Sequence, residues 1–86
     1  MLATLRVMAI LRLFASAREA AGTGRAQFDG ETVAEVLEAA RVSFGSGFAR
    51  VLPICRVWVN GDAAEPTTRV GRDDEVAVLP PVSGGT

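Results

Sequence analysis

Apolar and polar positions change their spacing several times along the chain, and each change marks an element. Leu5 to Phe14 is aliphatic and broken only by arginine, the pattern of a strand paired on both edges. Ala15 to Ala21 is a short run of helix formers that stops at Gly22, a natural C-cap. Ala26 to Phe28 has room for a short strand closed by the turn Asp29-Gly30. Thr32-Val33-Ala34-Glu35 has the spacing of a capping box and predicts a helix start. Val33, Val36, Leu37, Ala40 and Phe44 then recur at helical spacing and form one apolar stripe, with Glu35, Glu38 and Arg41 turned away from it. Phe44 to Pro53, with two glycines and a proline, is expected to be irregular apart from a short turn of helix. Ile54 to Val59 is the second clear strand, ended by the strong turn signal Asn60-Gly61. Asp62 to Asp74 is polar and turn-rich, with space for one short strand, and Glu75 to Leu79 is the last strand, stopped by Pro80.

This order predicts an α+β fold in which a small mixed sheet packs on one main helix. Residues 1–86 are expected to form one domain, with 80–86 as a flexible C-terminal tail. Side chains alternate across a strand, so each arginine in an apolar run marks the face away from the core. Arg56 places Ile54 and Trp58 outward and Cys55, Val57 and Val59 inward. Arg12 places Ile10 and Phe14 outward, and in the last strand Val76 and Val78 face the helix while Ala77 and Leu79 face out. Aromatic residues mixed with arginine on an open face are typical of a protein interface. The competing reading puts Trp58 in the core. Cys55, mid-strand among β-branched neighbours, is expected to be a buried structural thiol.

Composition narrows the chemistry. A core of this size leaves net stability on the order of 5 kcal/mol or somewhat more. The formal net charge is −1, which points to neither nucleic acid nor a basic partner. The chain contains no His, no Tyr and no Lys, so every cation is Arg. The commonest general base and metal ligand is therefore missing. One cysteine cannot form an internal disulfide or a multi-thiolate metal site. A self-contained hydrolase or metalloenzyme is disfavoured, and no bound cofactor or metal is expected. Without Lys the chain cannot accept an isopeptide bond on its own side chains, although its C-terminus can still be donated. Met1 to Ala17 loosely imitates a secretory signal, with Ala15-Ser16-Ala17 as the cleavage site. Arg12 interrupts its apolar run, and cleavage would remove the most strand-like segment. The expectation is a cytoplasmic protein with no membrane span.

The chain closes on Leu79-Pro80-Pro81-Val82-Ser83-Gly84-Gly85-Thr86. The two prolines lack amide hydrogens and fix φ, so the backbone leaves the sheet in an extended path. Gly84 and Gly85 have no side chain to clash in a narrow channel. Such a tail suits insertion into a partner, with the terminus as the reactive group.

Three segments carry a resemblance. They are Leu13-Phe14-Ala15-Ser16-Ala17-Arg18-Glu19-Ala20-Ala21-Gly22, then Val59-Asn60-Gly61, then Asp74 through Gly85 with its Pro-Pro-Val-Ser-Gly-Gly ending. On these the chain resembles the molybdopterin synthase small subunits, ubiquitin-like sulfur carriers of the β-grasp fold, from roughly Met8 to Gly85. The resemblance implies that the Gly85 carboxylate is adenylated by an activating enzyme using ATP, converted to a thiocarboxylate, and inserted into the synthase large subunit. There the sulfur passes to a pterin precursor in molybdenum cofactor biosynthesis. It implies a sulfur-donating subunit that borrows its catalysis, with Gly84 and Gly85 at the reacting end. It also implies a docking surface around Phe14 and Leu79, to which the outward face adds Trp58 and the tail adds Pro80, Pro81, Val82 and Ser83. Arg18 matches a family arginine and is either a polar partner contact or an ordinary solvated helix residue.

Two departures stand out. Thr86 blocks the Gly85 carboxyl with an amide bond, so either a peptidase removes it, or it is an artefact, or the chain is not a standard carrier. Family members often begin near the position of Met8, so Met1 to Val7 is either an extension or a misplaced start. Alternatives to the leading reading are a ubiquitin-like protein modifier that passes the same acyl group to a lysine, a carrier serving thiamine, cysteine or another sulfur product, and an adaptor that only binds through its sheet face.

Overall fold

The computed structural model describes residues 8–81. Expectations placed on Leu5 to Val7, and on Val82, Ser83, Gly84, Gly85 and Thr86, lie outside the described residues. Strands β1 (Met8–Leu13), β2 (Arg25–Asp29), β3 (Arg56–Val59), β4 (Asp62–Ala63) and β5 (Glu75–Leu79) form one sheet in the order β2-β1-β5-β3-β4. β1 and β5 run parallel, and the other pairs are antiparallel. Helices α1 (Ala15–Ala21), α2 (Val33–Phe44) and α3 (Ser46–Val51) supply Ala17, Val33, Val36, Ala40 and Phe48 to the core cluster that also holds Ala9, Leu11, Leu13, Val76 and Val78. The helices therefore cover one face of the sheet.

The arginine-marked alternation holds in all three central strands. Ala9, Leu11 and Leu13 are buried in β1, Val76 and Val78 in β5, and Val59 in β3. Ile10, Arg12, Ala77, Leu79, Arg56 and Trp58 share the opposite face, in register across β1, β5 and β3. Phe14 differs in detail, because β1 ends at Leu13 and Phe14 is the N-cap of α1. Gly22 closes α1 in the left-handed region at φ 80° and donates its N–H to the Arg18 carbonyl. Ala15 holds φ 51° without being glycine. This turn from strand to helix carries strain of about 1–2 kcal/mol.

Thr32 caps α2 by accepting the Glu35 N–H at 3.2 Å. The return bond differs from the reciprocal capping box, since the Glu35 carboxylate accepts from Glu31 N–H at 2.8 Å, one residue upstream. Two further N–H groups of the first turn, on Val33 and Ala34, donate to the carbonyls of Thr68 and Pro66. The polar 62–74 segment thus docks on the helix start, which satisfies donors that a helix cannot satisfy internally.

Phe44 to Pro53 is the main correction. It is ordered as α3 followed by a 3-10 turn over Leu52–Ile54. Gly45, at φ 92°, ends α2 and starts α3. Phe48 is fully buried and stacks edge-on against Phe44, which packs the same way on Phe28. Ile54 belongs to the 3-10 turn and not to β3, and it is 63% exposed. Phe48→Ala should cost roughly 3–5 kcal/mol of folding stability in urea denaturation, because the cavity it leaves cannot collapse.

Asn60 and Asp74 tie the far end of the sheet. Asn60, at φ 50°, and Gly61, at φ 89°, make the left-handed turn into β4. The Asn60 amide donates to Asp74 Oδ1 at 3.0 Å and its Oδ1 accepts from Glu75 N–H at 2.9 Å. Asp74 Oδ2 accepts from Gly71 N–H at 2.7 Å. The Asn60 amide first, then the Gly71 N–H, lowers the Asp74 pKa from its ordinary 3.8. A carboxylate depressed in the folded state stabilises above its unfolded pKa and loses that contribution as pH falls through the folded value. The melting temperature should therefore drop below about pH 4, and Asp74→Asn should make thermal melts less sensitive to acid in that window while lowering stability at neutral pH.

Candidate functional site: the open sheet face and the root of the tail

β5 lies between β1 and β3, so the backbone that leaves it at Pro80 starts from the middle of the sheet. Around that exit the strands assemble the residues the sequence singled out. Phe14 N–H donates to the Val78 carbonyl at 3.3 Å, which holds Phe14 beside the end of β5. Its ring is 40% exposed. Arg12 sits over that ring with its guanidinium carbon 6.0 Å from the centroid, close enough for a cation–π contact. Arg12 also pairs with Glu75 at 3.7 Å. This exposed ion pair fixes side-chain direction more than it stabilises the fold. Arg56 lies opposite Leu79, and Trp58 opposite Ala77. Leu79, Pro80 and Trp58 are half-buried and Pro81 is exposed.

Phe14, Arg12, Leu79, Arg56 and Trp58 therefore form one continuous surface at the tail root, on the side without helices. Trp58 is absent from the buried cluster, which settles the register in favour of the outward placement. Glu75 and Ala77 complete this surface. Sequence reading had treated Glu75 only as a strand start, although a charged residue opposite Ile10 is the signal that marks it as outward.

Arg18 stands apart from this face. It lies on α1 in a polar cleft of about 710 Å³ lined by Ala15, Glu19, Gly22, Thr23 and Gly24. Its side chain runs along Gly24, where a Cβ would come within 3.3 Å of Arg18 Nε. The cleft is one helical turn from Phe14, whose carbonyl accepts the Arg18 N–H at 3.2 Å.

Cys55 departs from the buried thiol expected. It is half-buried and lines a second cavity of about 360 Å³ between α2 and β3, with Val33, Leu37, Val57 and Pro66. Its thiol donates to the Val51 carbonyl at 3.3 Å. Burial raises its pKa, so the thiolate is disfavoured. Its inward direction and packing against the core are as expected. Among the described residues no group of three or more His, Cys, Asp or Glu is placed to hold a metal, and no helix is long and apolar enough to cross a membrane.

Residues 11–85 match the model of the ThiS family. The chain belongs to that family. Solved structures agree with this family assignment. SAMP1 from Haloferax volcanii superposes with a TM-score of 0.81 at 31% identity, over 91% of this chain and 99% of that one. The small archaeal modifier protein 1 of Methanosarcina acetivorans follows with 0.77 at 27% identity, over 95% and 100%. Subunit 1 or 2 in the molybdopterin-converting factor complex of Helicobacter pylori, at 23% identity, matches with 0.68 over 91% and 99%, a likeness of fold alone. Among curated proteins none matches the chain. The fold is thus the ubiquitin-like β-grasp of the ThiS sulfur carriers.

For this ThiS-family domain the outward placement of Trp58 has a direct consequence. Trp58→Ala should cost far less stability than Phe48→Ala, about 1 kcal/mol or less against several, in parallel denaturant titrations. An unfolded Trp58→Ala variant would return that side chain to the core.

Proposed function

We propose that this protein is a sulfur carrier and the small, sulfur-donating subunit of a molybdopterin synthase, with Gly85 as the reacting residue. The observation that carries this reading is the exit of the Pro80–Pro81 backbone from a central strand, beside an open face of Phe14, Leu79, Trp58 and two arginines. From Pro80, six residues to Gly85 reach at most about 20 Å when extended. That length suffices to carry a terminal acyl group into a buried site while the sheet face rests on the partner's rim.

Each step asks of this chain only its terminal acyl group. Hydrolysis of the Gly85–Thr86 amide by a peptidase frees the carboxylate. Attack of that carboxylate on the α-phosphorus of ATP, bound by the activating enzyme, releases pyrophosphate and leaves an acyl-adenylate. Sulfide delivered by that enzyme system attacks the acyl carbon and displaces AMP, which leaves the thiocarboxylate. The thiocarboxylate sulfur then attacks a carbon of the pterin precursor on the large subunit and displaces the oxygen substituent there, and hydrolysis of the resulting thioester leaves the sulfur on the pterin and returns the carboxylate. Acid and base groups come from the partners, so a chain without His is sufficient. Phe14, Leu79, Trp58, Pro80, Pro81, Val82 and Ser83 are assigned to docking, and Gly84 to passage through a channel too narrow for a side chain. Arg18 is assigned a contact at the edge of that surface. The complex of subunits 1 and 2 in the Helicobacter pylori protein supports a large-subunit partner.

A second reading has its own support. SAMP1 is a modifier by the name of its relative in Methanosarcina, and at 31% identity it is a nearer match than the converting-factor subunit. In that reading the activated Gly85 acyl group passes to a lysine of a target protein, and the same face and tail serve activation.

Incubation of the chain ending at Gly85 with ATP, a sulfur source and the activating enzyme should add about 16 Da at the terminus by intact-mass spectrometry, as oxygen gives way to sulfur at an activated carbonyl. Deletion of Gly84-Gly85 should abolish that product and leave the melting temperature unchanged, because the deletion removes no described core contact. Higher-mass conjugates in cell extract that vanish with the deletion would favour the modifier reading. A protein that is never adenylated would end both.

A further inference from the structure

An activated acyl group reacts with any good nucleophile within its reach, and the first ones it meets belong to its own chain. Amines and thiolates are the side chains that matter, because hydroxyls need a general base and the chain has no His to act as one. The sequence holds nine basic side chains, and every one is Arg. It holds one thiol, that of Cys55.

Two of the arginines stand where the chain leaves the sheet. Arg56 lies opposite Leu79 in the β3–β5 register, is exposed, and has no ion-pair partner among the described residues. Arg12 reaches the same place from β1: its guanidinium carbon lies 6.0 Å from the Phe14 ring centre, and the Phe14 N–H is bonded to Val78 of β5. Paired strands are about 5 Å apart, two prolines in extended form advance about 6 Å, and the four residues from Val82 to Gly85 span up to about 13 Å. That length lets the Gly85 acyl carbon meet a side chain at position 12 or 56. Cys55 adjoins Arg56 at this same end of the sheet but faces the helix side. Its thiol lines the cavity beside α2 and donates to the Val51 carbonyl at 3.3 Å, and burial raises its pKa. The strongest nucleophile of the chain is thus turned away from the tail root and held as a thiol.

Arginine and lysine bring the same charge but not the same chemistry. At about pH 8.4 roughly one lysine amine in a hundred is unprotonated, against roughly one guanidinium in ten thousand or fewer. A free amine attacks the acyl carbon, the leaving group departs with the electron pair of the broken bond, and the nitrogen gives up a proton as the amide forms. A tethered amine works at an effective concentration on the order of mM. A lysine at the tail root would therefore take the acyl group ahead of acceptors dissolved at lower concentration.

Resting on the reading of Gly85 as an activated acyl end, we propose that Arg12 and Arg56 determine where that acyl group goes. They give the tail root its positive charge without offering an amine, so the acyl group is withheld from the chain that carries it and passes to an acceptor on another molecule. Where that acceptor is a lysine of a target protein, each modified site carries one copy, because a copy has no lysine to accept the next.

The test uses the chain ending at Gly85 with an alkyl thioester installed on that residue by intein cleavage, so no activating enzyme takes part. At about pH 8.4 and 10 μM protein, intact mass and peptide mapping should show the unaltered chain losing its thioester by hydrolysis, with no bond from Gly85 to any of its side chains. Arg56→Lys and Arg12→Lys, which keep the charge, should instead yield a product about 18 Da lighter than the hydrolysed acid, with an amide from Gly85 to position 56 or 12. Arg72 is exposed and adjoins Asp73, whose N–H donates to the Met8 carbonyl at the start of β1. Since β1 and β5 are parallel, that start is at the opposite end of the sheet from the tail root. Arg72→Lys should therefore form its amide at least about tenfold more slowly. Self-acylation of a side chain in the unaltered chain overturns the proposal. So does hydrolysis alone in both tail-root variants, because the arginines would then protect nothing, and so does equal capture by Arg72→Lys, because position would not matter. A chain that no enzyme adenylates would end the carrier reading on separate grounds, in the incubation with ATP.

Discussion

The structure depends on a sheet with helices on one side only. Three helices press Ala17, Val36, Ala40 and Phe48 onto one face of β1, β5 and β3, and among the described residues no element covers the other face. Each of those strands must therefore be apolar inward and tolerant of water and partners outward. That requirement explains why single arginines at positions 12 and 56 sit in otherwise aliphatic runs. It also explains why the outward aromatics collect where the chain leaves the sheet: strands that meet at one end bring their outward residues together at that end.

The same division separates stability from interaction. The side chains that hold the fold, among them Leu11, Phe48, Val76 and Val78, are fully buried. Those at the tail root are half-buried or exposed, and their contacts are soft ones, a distant guanidinium over a ring and a long ion pair. Substituting the second set changes little in the first. A surface of this kind can be adapted to different partners while the body stays the same.

Much of this was legible in the sequence, for physical reasons that particular residues make clear. Arg12 and Arg56 gave the register because an ionised side chain in a small core is too costly to bury unpaired. Thr32 and Asn60-Gly61 declared a helix start and a hairpin turn through local bonds that need no distant partner. The misses came where local signals conflict with distant packing. Ser46 to Val51 holds Gly47, a poor helix residue by about 1 kcal/mol, yet it folds as a helix because Phe48 reaches the core beside Phe44. Ile54 looked like strand because it adjoins a β-branched run, but Pro53 favours the tight turn that leads it outward. The cavity beside Cys55 depends on how α2 leans on β3, and no short-range pattern encodes that.

The position of β5 has one further consequence, for the order in which a nascent polypeptide can become a protein. β1 and β3 have no common neighbour until residues 75–79 have emerged between them, so the sheet cannot be assembled piece by piece during synthesis. Contacts that span almost the whole length must form together. Ribosome-bound fragments that stop short of Leu79 lack their keystone and expose Val and Leu side chains meant for the interior. The glycines come off the ribosome only after that keystone, so a copy whose terminus is ready for use is one whose body has already had what it needs to close.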